Sequence, residues 1–201
     1  MVLVLTLIGC SSSAAASPTC PEALDELGVR WRPATPRPGI AQPVEVRGPL
    51  GGVTYVPWGK PKPLVLDCSL VEALARSGPF LTAQGLVIAT YSGGYNVRNI
   101  RGTNKPSSHS YGLALDVHRF GTASGVWISV DEHFETALGD EVDCIGAPRT
   151  PEGRVLKVIH CQMLRSGNFR FVLGPDDDAD HRNHFHMEAE PWERRSQRSA
   201  R

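Results

Sequence analysis

Two short segments of this chain hold four of its seven histidines, spaced as a metal site would need them. The first is Ser107-Ser108-His109-Ser110-Tyr111-Gly112-Leu113-Ala114-Leu115-Asp116. From Gly112 it alternates: Leu113, Leu115 and Val117 point one way, and Gly112, Ala114, Asp116 and His118 the other, as in a half-buried strand. Two very small residues before the carboxylate let something approach the backbone closely. A turn at Ser110-Tyr111 would fold the His109 imidazole back over Asp116. The second segment is His181-Arg182-Asn183-His184-Phe185-His186-Met187-Glu188. Here His184, His186 and Glu188 share one strand face, Phe185 and Met187 take the other, and His181 leans over from a loop. Catalytic zinc uses three protein ligands and leaves one position for water. His109, Asp116 and one histidine of the His-Phe-His triplet supply that set.

Ser-x-His-x-x-Gly-x-Ala-x-Asp followed by His-x-His resembles the zinc peptidases that include D-Ala-D-Ala carboxypeptidases, lysostaphin-type endopeptidases and the hedgehog signalling domain. More closely, the chain is similar to the bacterial extensin-like C-terminal domain. Members of that branch end in a like His-x-x-His-Phe-His segment after a Leu-Gly-Pro, here Leu173-Gly174-Pro175. The likeness covers Cys20 to Glu190 and is strongest at 107–116 and 173–188. It implies an α+β fold, with a small antiparallel sheet carrying a zinc site on one face and helices packed on the other.

Residue by residue, the resemblance implies zinc on His109, Asp116 and His186. His184 would stand beside the metal and hydrogen-bond the tetrahedral intermediate. His181 takes the place of the general base; Asp180 is the alternative, or the group that orients His181. Ser107 holds the loop or a contact behind the ligands. Related carboxypeptidases aim an arginine at the scissile carbonyl or the substrate carboxylate. Arg98 is the candidate for that role and Arg101 the reserve, with a solvated loop arginine as the competing reading. The implied substrate is the D-amino-acid peptide of bacterial peptidoglycan, cut by metal-activated water. Hedgehog carries the same ligand set without measurable peptidase function, so a non-catalytic wall-binding lipoprotein and a structural zinc domain stay open. The chain departs from the branch at Val97, where a cysteine often precedes the arginine.

Positioning such a site takes a core, and 201 residues with 41% hydrophobic content can build one. The expected division is a leader and tether over 1–19, one domain over 20–192 with a proline-rich extension at 20–63, and an unstructured basic tail over 193–201. A formal net charge of zero argues against a nucleic-acid partner, and a monomer is expected. Leu7-Ile8-Gly9-Cys10 resembles a bacterial lipobox, so Cys10 is the expected site of acylation and membrane anchoring, with 11–17 as a flexible tether. A fragment of an ordinary secretory signal is the alternative, and no Lys or Arg precedes the apolar run, so the true start is expected upstream. Either reading sends the protein to the periplasm or cell envelope. Cys20, Cys68, Cys144 and Cys161 allow three pairings. Cys20–Cys68 and Cys144–Cys161 are favoured because each staples neighbouring segments in an oxidising compartment.

The local patterns predict a helix at Pro21–Leu27 and a hairpin of Val44–Val46 with Val53–Val56 around Gly51-Gly52. A core helix follows at Asp67–Arg76, capped by Asp67, then strands at Leu86–Tyr91 and Val126–Val130. Residues 139–153 read as loop and Arg154–Arg165 as an amphipathic helix. His133 reads as a surface residue and His160 as structural. The acidic run Asp176–Asp180 reads as a solvated loop, because it lacks the spaced oxygen ligands of a calcium loop.

Overall fold

The computed structural model of the chain describes residues 18–137, 144 and 146–199. Cys10 and its tether lie outside the described residues. Among the described residues, no helix is long and apolar enough to cross a membrane.

The N-terminal part builds a small sheet around one helix. Helix α1 (Cys20–Glu26) starts with Pro21 in its first turn, and the Glu22 carboxylate accepts from the Thr19 backbone N–H at 2.7 Å. Strands β1 (Trp31–Pro33) and β2 (Pro43–Val46) pair antiparallel. Strand β3 (Thr54–Pro57) leaves this sheet, whereas β4 (Leu64–Asp67) returns to pair with β2. The expected hairpin between Val44–Val46 and Val53–Val56 therefore does not form. Gly51-Gly52 does make a tight turn, closed by Leu50 against Val53. That turn sits on the next helix at Ala75 and Gly78, and so sends β3 into the other sheet.

Helix α2 (Cys68–Thr82) is the central helix of the core. Its cap is Asp67, whose Oδ1 accepts from Ser69 N at 2.9 Å. The helix outlasts the expected stop at Gly78-Pro79, reaching Thr82. Cys68 bonds Cys20, tying α1 to the start of α2 across a separation of 48 residues. The other bridge is Cys144–Cys161, so both favoured pairings are present.

The main sheet holds β5 (Leu86–Gly93), β6 (Ala114–Thr122), β7 (Trp127–Ser129), β8 (Phe171–Leu173) and β9 (Phe185–Glu188). Its order is β3-β5-β6-β9-β8, with β7 on the far end of β6. All its pairs are antiparallel except β3 with β5. The class is thus α+β with antiparallel sheets and helices, modified by one parallel pair. Leu115, Val117 and Phe120 from β6 join Leu70 and Leu74 of α2 in a single core cluster.

Two further helices complete that core. Short α3 (Val130–His133) follows β7 directly; His133 folds its Nδ1 back to the Ser129 N–H at 3.0 Å. Helix α4 (Pro151–Arg165) begins before the expected Arg154, because Thr150 caps Gly153 N at 3.1 Å and Pro151 suits the first turn. His160 lies on its buried face, stacked on Phe185 with centroids 5.0 Å apart, and is structural as expected.

Residues 192–199 are helical, where an unstructured tail over 193–201 is expected from composition. Helix α5 (Trp192–Ser199) starts where Trp192 N donates to Ser69 Oγ at 3.0 Å. Arg195 then joins Arg76 on the buried Glu72 carboxylate. The arginine-rich composition hid this anchor.

Candidate metal centre

Three elements converge on the site face of the main sheet. Residues 108–111 form a single 3-10 turn whose Ser107 cap accepts from His109 N at 3.4 Å. Gly112 ends the turn at φ +65°, a left-handed conformation open to glycine, and this reversal swings His109 back over the strand. Ser107 therefore holds the loop, as expected. Within the sheet, Asp116 of β6 stands directly opposite His186 of β9. Register alone brings together residues seventy positions apart.

His109 Nε2 lies 3.2 Å from Asp116 Oδ1 and 3.3 Å from His186 Nδ1, while His186 Nδ1 lies 2.8 Å from Asp116 Oδ1. These are the three residues expected as ligands, and they are the group among the described residues with metal-binding geometry. A tetrahedral zinc with bonds of about 2.0–2.1 Å separates its ligand atoms by about 3.3–3.4 Å. Two of the three edges already match. His109 Nδ1 faces the Gly94 carbonyl at 2.8 Å, so that nitrogen must donate, and Nε2 is left to face the centre with a lone pair for a metal or a proton for Asp116. A carboxylate and an imidazole lone pair aimed at one point repel unless a cation or proton sits between them. The residues fit zinc on that ground.

Protons serve that need in the metal-free protein. Burial works against charge on His186, but the Asp116 and Glu188 carboxylates outweigh it and raise its pKa to about 9. Burial likewise pushes Asp116 up, and hydrogen bonds from His109, His184 and His186 more than reverse this, leaving it far below the ordinary carboxylate range. The raised His186 pKa stabilises the metal-free fold fully below its ordinary value of 6.5, and that contribution is lost as pH rises through about 9. Zinc must displace the same proton. Its apparent affinity is expected to rise about tenfold per pH unit between roughly 7 and 9, read by chelator competition.

Behind the three candidate ligands lies a supporting layer that carries little local signal in the sequence. Glu188 Oε2 stands 3.8 Å from His186 Nε2, accepts from Ser108 Oγ at 2.6 Å, and its other oxygen meets Arg170 at 3.4 Å. It fixes the imidazole from the side away from Asp116. Gly93 passes so close that a Cβ there would overlap Asp116 Oδ2 and lie 3.3 Å from His109 Cε1. Gly93→Ala is expected to weaken zinc binding by about 10- to 100-fold, the scale of lost support behind metal ligands. Chelator competition reads the loss, and an unmoved melting curve separates it from unfolding.

The other expected residues distribute as follows. His184 Nδ1 faces Asn183 Oδ1 at 2.8 Å, and its Nε2 is 3.5 Å from Asp116 Oδ1, beside the triad. His181 leans in as expected, its ring centroid 5.3 Å from those of both His184 and His186. The group that orients it is Asp178, with Oδ1 2.8 Å from His181 Nδ1, and not Asp180. Asp180 is engaged with Arg101 at 2.7 Å. The i−3 spacing of Asp178 from His181 was the available signal. Arg98 stands apart. It is exposed, its backbone is locked to Ser110 Oγ at 2.9 Å, and it lines a separate cavity with Val97 and Tyr111. Its guanidinium makes no hydrogen bond or ion pair among the described residues.

The acidic run is divided among local partners. Asp176 meets Lys157 and the Ala137 N–H, and Asp177 accepts from Gly174 N at 2.7 Å. A cavity of about 470 Å³ opens beside Ser108 and Glu188, walled also by Tyr111, Arg170 and Arg194.

The family model described as "Extensin-like protein C-terminus" matches residues 19–199. No curated protein and no solved structure gives a significant match.

Proposed function

The chain belongs to the extensin-like protein C-terminus family, and from that footing we propose that it is an exported zinc-dependent peptidase acting on the D-amino-acid peptide bonds of peptidoglycan. The observation that carries the reading is the convergence of His109 Nε2, Asp116 Oδ1 and His186 Nδ1 within 3.3 Å of one another, beside two further histidines. A structural zinc site is closed by four protein ligands, whereas a catalytic one keeps a position open. Three ligands with His181 and His184 alongside match the second kind.

Zinc held by this triad would polarise a carbonyl and lower the pKa of a water molecule. His181 commits Nδ1–H to Asp178, which leaves Nε2 to take the proton from the attacking water. The same nitrogen then returns that proton to the leaving amine. His184 turns Nε2 toward the site and hydrogen-bonds the carbonyl oxygen as negative charge grows there. The stem peptide lies toward the cavity beside Glu188, where Arg194 meets a carboxylate and Arg170 is held on Glu188. Arg98 and Arg101 have weaker claims, the first by position and the second by its pairing with Asp180.

Hydrolysis of purified muropeptides by the isolated protein tests the reading. Cleavage should vanish with a chelator and return with zinc. Tight muropeptide binding with no cleavage, zinc present, would move the protein to the non-catalytic wall-binding class. Localisation at the envelope, with Cys10 acylated, is part of the same proposal.

A further inference from the structure

The row of rings that begins at the metal centre continues past His184. The His118 ring lies 5.2 Å from that of His184, and Trp58 meets His118 edge-on at 5.1 Å. Arg119 follows, its guanidinium 5.2 Å from the Trp58 ring centroid and 4.5 Å from that of Trp127. Both indoles face water: Trp58 is 59% exposed and Trp127 38%.

A local irregularity of β6 builds this row. Thr90 pairs with Arg119 and Tyr91 with Val117, so His118 is an extra residue on β6. His118 and Arg119 consequently both stay out of the core, while Phe120 enters it. Gly121 faces Trp127 across the sheet, and the indole lies over its bare Cα. Arg119 Nε is steadied by Thr90 Oγ1 at 3.4 Å. From Asp116 to Gly121 the strand runs roughly 17 Å. The ledge therefore leads away from the metal along β6, whereas the cavity at Leu113 and Glu188 lies at the strand's other end.

We infer that this ledge is a saccharide subsite, which takes an N-acetylhexosamine unit of the glycan strand that carries the stem peptide. The inference rests on the peptidoglycan reading above for its substrate and on the ledge for its chemistry. A pyranose ring presents a flat C–H face that matches an exposed indole. Its rim of hydroxyl and acetamido oxygens matches the in-plane donors of a guanidinium. A second copy of the chain would need about 800 Å² on each side, and two rings with one arginine between them are far smaller. Exposed aromatic area continuous with a catalytic centre marks a binding surface.

The probe is an N-acetylglucosamine tetramer, titrated into the zinc-loaded protein and followed by calorimetry and tryptophan fluorescence. Binding is expected, weakened about tenfold or more by Trp58→Ala and by Trp127→Ala, with zinc content unchanged. Trp58→Phe keeps a ring and should retain most of the affinity, which guards against a folding artefact. In cleavage assays, the preference for a disaccharide peptide over the sugar-free stem peptide should fall by a similar factor in Trp58→Ala. Failure of the tetramer to bind, or parent-like binding by both alanine variants, overturns the inference. Cleavage of stem peptide with no saccharide preference removes the subsite and leaves the peptidase. Tetramer binding without any cleavage removes the peptidase and leaves the subsite.

Discussion

His186→Ala and His109→Ala are each expected to reduce bound zinc from one per chain to about a tenth or less, because either change leaves two protein ligands where catalytic zinc uses three. The fold should survive. In His109→Ala the buried Gly94 carbonyl loses its partner at 2.8 Å, a loss of about 1–3 kcal/mol. A domain stable by about 5–15 kcal/mol, with two disulfides, tolerates that. His181→Ala and His184→Ala should keep their zinc, since neither supplies one of the three converging atoms. Metal analysis beside a melting curve decides each case. Full zinc in His109→Ala would remove the first ligand from the account.

His181→Ala is expected to slow muropeptide cleavage by about 100-fold or more, as is His184→Ala, the usual scale for losing a general base or an oxyanion donor. The two should differ in pH dependence. A histidine base must be neutral to act, so its protonation draws the acidic limb of the rate profile. That limb should flatten in His181→Ala and persist in His184→Ala. Asp178→Asn leaves His181 in place but removes its carboxylate partner at 2.8 Å, so a smaller loss of rate than in His181→Ala is expected. An active His181→Ala enzyme with an unaltered acidic limb would pass the base role to Asp180, which would first have to leave Arg101.

The parts of the site that could be read from sequence are those set by local spacing. Alternation along β6 and β9 put Asp116 and His186 on the same kind of face. Only the register, Asp116 opposite His186, made them neighbours. Gly112 signalled the reversal that returns His109, because a left-handed turn end favours glycine. Gly93 and Gly94 gave no such signal. Their importance lies in a close approach to Asp116 and a carbonyl aimed at His109, both products of long-range packing. Alternation puts His118 on the face of Asp116 but gives no sign of the irregularity there, since an extra residue on a strand leaves no local mark. In the fold, the cysteine pairs could be chosen from proximity in sequence, whereas the β2–β3 hairpin could not be excluded. Its turn is present, but β3 finds β5, more than thirty residues later, and the contact of the turn with α2 decides between them. Helix α5 was hidden for a related reason: its anchors, Ser69 and Glu72, lie on α2.

Zinc binding at the triad can be seen outright by diffraction recorded on both sides of the zinc absorption edge, from crystals of the zinc-loaded protein. One anomalous peak is expected about 2.0–2.2 Å from His109 Nε2, Asp116 Oδ1 and His186 Nδ1, with a fourth position facing His181 and His184. A peak closed by four protein ligands would make the site structural, and a peak elsewhere, or none at this triad, would contradict the account.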